Sequence, residues 1–134
     1  KYGAKRSQAP SGMRELEGRT FDSKGERNRA VQLALLQRAG EISSLSCQVK
    51  VDLTCGIGWR LDFRYVDESL NAIVYEDFKG VETQDFKLKV KLWKGFGPAL
   101  LRITKSSFPG GFYVDREVTP DAIKETTDGR QEDR

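Results

Sequence analysis

Asp77-Phe78-Lys79, read with Asp62, is the set of residues in this chain whose types and spacing suit a chemical step. In an extended strand residues two apart share a face, so the Asp77 carboxylate and the Lys79 ammonium project side by side. An acid next to a lysine serves metal-assisted phosphodiester hydrolysis. Carboxylates hold a Mg²⁺ that polarises the phosphate, while the lysine orients or helps deprotonate the attacking water. If 59–66 and 72–79 form an antiparallel hairpin with its turn centred between Ser69 and Leu70, Asp62 lies opposite Asp77. The Cβ atoms of such neighbours are roughly 4.5–5.5 Å apart, so the two acids can share a cation. A slip of one residue throws them onto opposite faces.

Asp-x-Lys alone carries nothing, since it occurs three times in a chain that is 32% charged. Context separates the copies. Asp22-Ser23-Lys24 falls at a helix entry, and Asp85-Phe86-Lys87 lies in a helical pattern, where residues two apart point in different directions. Only Asp77-Phe78-Lys79 follows a strand-like run, Ala72-Ile73-Val74-Tyr75, and precedes a breaking glycine, Gly80.

Composition narrows the chemistry further. The sequence contains no histidine, which removes Ser-His-Asp and Cys-His mechanisms, His-ligated zinc and histidine-base nucleases. Catalysis then falls to carboxylates and lysines. Cys47 and Cys55 are too few for a disulfide framework and lack zinc-like spacing, so they read as reduced structural thiols. At 134 residues and 37% hydrophobic content the chain is sized for one domain with a single core. No apolar run approaches the roughly 20 residues that cross a bilayer, and no apolar signal segment opens the sequence. The expectation is a soluble, intracellular protein without a membrane partner.

A net charge of +3 is too small to diagnose a nucleic-acid partner, but its distribution is uneven. Lys87, Lys89, Lys91, Lys94, Arg102 and Lys105 follow the candidate site, while Asp121, Glu125, Asp128, Glu132 and Asp133 gather in the tail. A basic surface beside an acidic site suits a polyanion. Taken singly, each lysine reads equally well as part of a solvated helix face.

The elements that must position these residues follow from pattern. Residues 1–18 mix Lys, Arg, Ser, Pro and Gly and read as a flexible basic arm. A first helix starts at Asp22 or Ser23, with Phe21 as staple and Ser23 to Glu26 as a capping box, carries apolar residues from Ala30 to Leu36, and stops at Gly40. Glu26 either closes that box or, on the face shared with Ala30, Leu33 and Gln37, leans toward the sheet; pattern alone favours capping. A first strand over 45–53 places Leu45, Cys47, Val49, Val51 and Leu53 on one face, with Gln48 and Lys50 on the other. The hairpin supplies strands two and three. A second helix opens at Thr83 or Gln84, with Phe86, Val90 and Trp93 on its buried face, and Gly95 and Gly97-Pro98 stop it. A buried fourth strand over 99–104 and a short last strand over 111–114 follow. The passage from strand three through the second helix to strand four is a crossover that joins parallel strands, so the sheet is mixed and flanked by helices. Residues 119–134 are charged, nearly without apolar side chains, and read as a disordered tail, which leaves 19–118 as the folded domain.

This αβββαβ order, with an acid on the second strand, Asp-x-Lys on the third and a glutamate on the first helix, resembles the PD-(D/E)xK nuclease superfamily. More narrowly it resembles a small phage-encoded family long catalogued as a domain of unknown function and thought to be endonucleases. The resemblance runs through Tyr2-Gly3, Phe21-Asp22-Ser23 with Glu26, Gly40-Glu41-Ile42, Leu45 and Gln48, Asp62-Phe63, Glu76 to Gly80, and Phe86, Lys89 and Leu92. It implies a restriction-endonuclease-like α/β core and a Mg²⁺- or Mn²⁺-dependent DNA endonuclease working in the cytoplasm of an infected bacterial host. Asp62 and Asp77 would then be metal ligands helped by the Phe78 carbonyl, Lys79 the catalytic lysine, and Glu26 a helix-borne acid of the site. Gln48 would line the site, and Lys87, Lys89 and Lys91 would contact phosphates. Branched replication or recombination intermediates are the implied substrates, cut by a homodimer. Two departures stand out. Leu61 occupies the place of the superfamily's proline, and Glu76 adds an acid that either pairs with a Lys or Arg on its own face or joins the site through a bulge. A non-catalytic nucleic-acid-binding protein and a structural phage protein are the rival readings.

Overall fold

The computed structural model describes residues 5–124. Tyr2-Gly3 and the acids beyond residue 124 lie outside the described residues. The elements are β1 (Ser7–Gln8), β2 (Thr20–Phe21), α1 (Lys24–Arg38), β3 (Ile42–Thr54), β4 (Ile57–Asp67), β5 (Ala72–Phe78), α2 (Gln84–Phe96), β6 (Leu100–Ser107) and β7 (Gly111–Val118). The chain is therefore α/β, built on a mixed sheet of five strands in the order β3-β4-β5-β6-β7, with β1 and β2 pairing separately. The β5–β6 pair is parallel and is joined through α2; the other neighbours are antiparallel. No described helix is long and apolar enough to cross a membrane.

Local chemistry explains the helix boundaries. Ser23 Oγ accepts the Glu26 amide at 3.1 Å and caps α1. At the other end the Gly40 amide donates to Gln37 O and the Glu41 amide to Leu36 O, both at 3.0 Å, a Schellman ending that needs the left-handed φ of 81° at Gly40. Thr83 caps α2 in the same way through the Phe86 amide at 3.1 Å. That helix runs through Gly95 and ends only at Phe96, because Trp93 lies against Gly97 and donates its indole N–H to Ala99 O at 2.8 Å. The β3–β4 turn is Cys55-Gly56, with φ of 50° and 75°, the doubly left-handed geometry of a tight hairpin.

Two clusters make the core. Ala30, Leu33 and Ala34 of α1 pack with Cys47, Phe63, Tyr65 and Val74. Phe86 and Trp93 of α2 pack with Trp59, Leu61, Tyr75, Leu101 and Ile103. The single apolar face expected for 45–53 is therefore divided: Leu45 and Cys47 join the α1 cluster, whereas Val49, Val51 and Leu53 join the α2 cluster. β4 divides likewise between Leu61 and Phe63. Between these pairs sit Gln48, whose φ of 56° breaks the alternation of a strand, and Asp62.

Two expectations about the ends need correction. The basic arm of 1–18 is structured in its described part, since Ser7–Gln8 pairs with Thr20–Phe21 and Leu16 is fully buried in the α1 cluster with Ala9 and Met13 against it. Sparse apolar residues in a polar segment hid this, because three well-placed contacts suffice to hold it. The tail expected to be disordered from 119 instead begins with a buried Pro120 and a helical turn over 121–124. Leu16→Ala is expected to destabilise the protein by about 2–5 kcal/mol in denaturant unfolding; a change within experimental error would show that the segment contributes no core.

Candidate active site

The β4–β5 hairpin has the register on which the chemistry depends. Asp67 pairs with Ala72, Tyr65 with Val74 and Phe63 with Glu76, a phase that carries Asp62 across from Asp77 one residue further on. Pairing ends at Phe63 and Glu76. The Lys79 amide donates to Thr104 O on β6 at 3.0 Å, so by the alternation of strand amides Phe78 turns its N–H toward β4. Asp62 Oδ2 accepts that N–H at 2.8 Å. A side chain thus takes the place of a missing ladder bond and ties the first acid to the backbone beside the second.

Asp77 and Lys79 share a face as expected, with Lys79 Nζ 3.1 Å from Asp77 Oδ2. Nζ also stands 5.0 Å from the centre of the Phe86 ring, so α2 presents an aromatic face to the ammonium. Asp62 and Asp77 are 3% and 1% exposed, whereas the Lys79 side chain keeps 17% of its surface in solvent. On the other side of β5, a Cβ on Gly25 would stand 2.7 Å from the Phe78 ring, so the first turn of α1 rests on the residue between the acid and the lysine.

Glu76 has the first of its two expected fates. It is fully buried on the α1 side, where Arg29 Nε and Nη2 donate to its two oxygens at 2.6 and 2.8 Å. Tyr65 Oη donates to it at 2.7 Å and Thr104 Oγ1 at 2.9 Å. Burial works to lower the Arg29 pKa, but the hydrogen bonds and charge of Glu76 outweigh it and hold the guanidinium above its ordinary value. Burial, reinforced by Glu76, pushes the Tyr65 phenol well up, so it remains a donor. Sequence reading missed Arg29, Tyr65 and Thr104 as partners. The available signal was Arg29 at i+3 from Glu26, one turn along the same helix.

Other expected site residues are placed differently. Gln48 is in phase with Asp62 across the β3–β4 ladder, but its amide donates to Thr20 O at 2.8 Å and fastens β3 to β2. Glu26 is fully buried on α1. Among the described residues no group of three His, Cys, Asp or Glu side chains is arranged to hold a metal ion. By strand alternation Glu76, with α1, occupies one face of β5, while Asp77 and Lys79 turn to the α2 side. Lys87 and Lys91 are exposed on α2, but Lys89 falls on a different helix face and pairs with Asp85 at 3.2 Å.

Cys47 lies between the two regions. Burial, with the nearby charges of Glu26 and Asp62, pushes its thiol up to about 11 and keeps it protonated at neutral pH. No family model and no curated protein matches the chain.

Two outcomes follow from this geometry. Arg29→Met leaves the Glu76 carboxylate buried with neutral donors only and is expected to cost about 3–5 kcal/mol in chemical denaturation; a loss below 1 kcal/mol, a threshold at the scale of an exposed pair, would contradict the arrangement. In thiol titration with a disulfide reagent at pH 8, exposed Cys55 reacts promptly. Cys47 reacts only after denaturation or as the pH nears 11. Equal labelling of both at pH 8 would show that Cys47 is not held in this environment.

Proposed function

We propose that the chain is a Mg²⁺- or Mn²⁺-dependent DNA endonuclease with a restriction-endonuclease-like core. The observation that carries this reading is the hairpin register that brings Asp62 to the backbone beside Asp77 while Lys79 Nζ lies 3.1 Å from Asp77. Paired acids beside a lysine are the residue types that metal-assisted phosphodiester hydrolysis uses.

The donors fit a hard cation. Asp62, Asp77 and the Phe78 carbonyl offer oxygen only, and the neighbouring Cys47 stays a neutral thiol, a poor ligand for a softer metal. Glu26, which approaches from the α1 side, is not counted among these ligands. When bound, the cation supplies Lewis-acid polarisation of a phosphate oxygen. Lys79, held by its backbone to β6 and by its ammonium to Asp77, positions the attacking water and offsets negative charge that develops on the phosphoryl oxygens. The water oxygen bonds to phosphorus, the bond to the leaving sugar oxygen breaks, and that oxygen takes up a proton. Lys87 and Lys91 contact phosphates and position the substrate without reading its sequence. A phage enzyme acting as a homodimer on replication or recombination intermediates in the host cytoplasm is the setting that the sequence resemblance supplies.

Plasmid, linear and four-way-junction DNA incubated with EDTA, Mg²⁺ or Mn²⁺ tests the reading. Cleavage is expected only with a divalent ion, and Asp77→Asn and Lys79→Ala are each expected to lower its rate by about 10²–10⁴-fold. Thermal stability should rise with Mn²⁺ in the wild type and less in Asp77→Asn. Cleavage retained by a folded Asp77→Asn protein, or a wild type that shifts DNA without cutting it under every condition, defeats the proposal.

A further inference from the structure

Between α2 and the chain that follows β7 lies an open groove of about 500 Å³, lined by Lys91, Lys94 and Lys124 together with Val90, Val118 and Thr119. Its one acid, Glu117, is engaged by Arg102 Nε at 2.7 Å. Lys91, Lys94 and Lys124 have no carboxylate within ion-pair distance among the described residues. Elsewhere Lys79 pairs with Asp77, Lys89 with Asp85 and Lys105 with Glu82, while Lys5, Lys24, Lys50 and Lys87 have no ion pair among the described residues; what sets the groove apart is that three such lysines line one concavity. Three unmatched ammonium groups around one concavity repel each other, and an anion seated among them relieves that repulsion.

The groove is continuous with a longer stripe. Lys87, Lys91 and Lys94 recur at i, i+4 and i+7, one face of α2, and all three are exposed. The stripe begins one residue after Phe86, the ring that faces the Lys79 ammonium. A single phosphate would need only one end of this track, whereas a chain of phosphates can follow it from the mouth of the site to Lys124.

We infer that this groove is a binding site for the phosphodiester backbone of nucleic acid, with Lys91, Lys94 and Lys124 as its contacts. Lys94, already part of the basic run in the sequence, and Lys124 extend the phosphate track beyond Lys87 and Lys91, and Lys89 drops out of it. The apolar floor of Val90 and Val118 makes no base-specific contact, so binding is independent of sequence. The inference rests on reading the chain as a protein that acts on DNA, but it does not require catalysis.

Fluorescence anisotropy with a labelled duplex of about one to two helical turns, in EDTA and over a salt series, tests it. The triple variant Lys91→Gln, Lys94→Gln, Lys124→Gln is expected to bind at least about tenfold more weakly, with a log–log salt slope shallower by about 2–3, at roughly 0.9 per phosphate contact. A control that removes three charges outside the groove, Lys5→Gln, Arg14→Gln, Lys50→Gln, should lose less affinity and less slope. Equal losses in both variants, an unchanged slope, or a wild type that binds heparin but neither duplex nor single-stranded DNA would overturn the assignment. Because binding is read without a divalent ion, a protein that binds through the groove but never cuts fails the endonuclease reading alone. One that cuts while ignoring the groove substitutions fails this inference alone.

Discussion

A buried carboxylate must be fully solvated by the protein, and Glu76 meets that demand with donors from three other elements. Arg29 reaches it from α1, Tyr65 from β4 and Thr104 from β6. Removing any one partner leaves charge or a polar atom stranded in a low-dielectric interior, so the four elements hold each other at a single point. The bidentate guanidinium adds direction as well as energy, because it fixes the angle at which α1 crosses the sheet. Arg102 extends the same network: it lies 3.4 Å from Tyr65 Oη and pairs with Asp67 and Glu117, which brings the hairpin turn and β7 into it.

This anchoring of Glu76 decides where its neighbours point. With residue 76 locked toward α1, strand alternation sends Asp77 and Lys79 toward α2. Two adjacent acids therefore have different duties, one saturated by neutral and cationic donors, the other set beside a lysine. Asp62 joins the second through a local irregularity. β3 and β4 both change face at Gln48 and Asp62, and the pairing of β4 with β5 ends at Phe63 and Glu76, so the Phe78 amide is left for a side chain. Breaks in regular pairing re-aim side chains in just this manner.

The lysine is positioned from a third direction. Glu82, at the entrance to α2, is held by Lys105 of β6 at 2.9 Å and Arg116 of β7 at 2.6 Å, and the Lys105 hydrogen bond leads the interactions that lower its pKa. The helix start is thereby fixed to the two strands beyond β5. Phe86, in its first turn, packs edge-to-face on Trp59 with 5.7 Å between ring centres and offers its own face to Lys79. The aromatic packing of the α2 cluster and the orientation of the ammonium are consequences of one placement.

Much of this was legible in the residues. The caps at Ser23 and Thr83, the left-handed stop at Gly40 and the apolar period of α2 are local signals, and they placed both helices. The hairpin register follows from turn position and the period of two, which puts Asp62 and Asp77 in phase. Tertiary structure alone decided the rest. Whether Glu76 was a ligand or a structural anchor depended on Arg29, far away in sequence. Gln48 was drawn to Thr20, and Leu16 was buried by a segment whose composition gave no sign of it. Local spacing sets which way a side chain leaves its own strand or helix; what it meets there is set by elements brought together from elsewhere, and no spacing within one element encodes that.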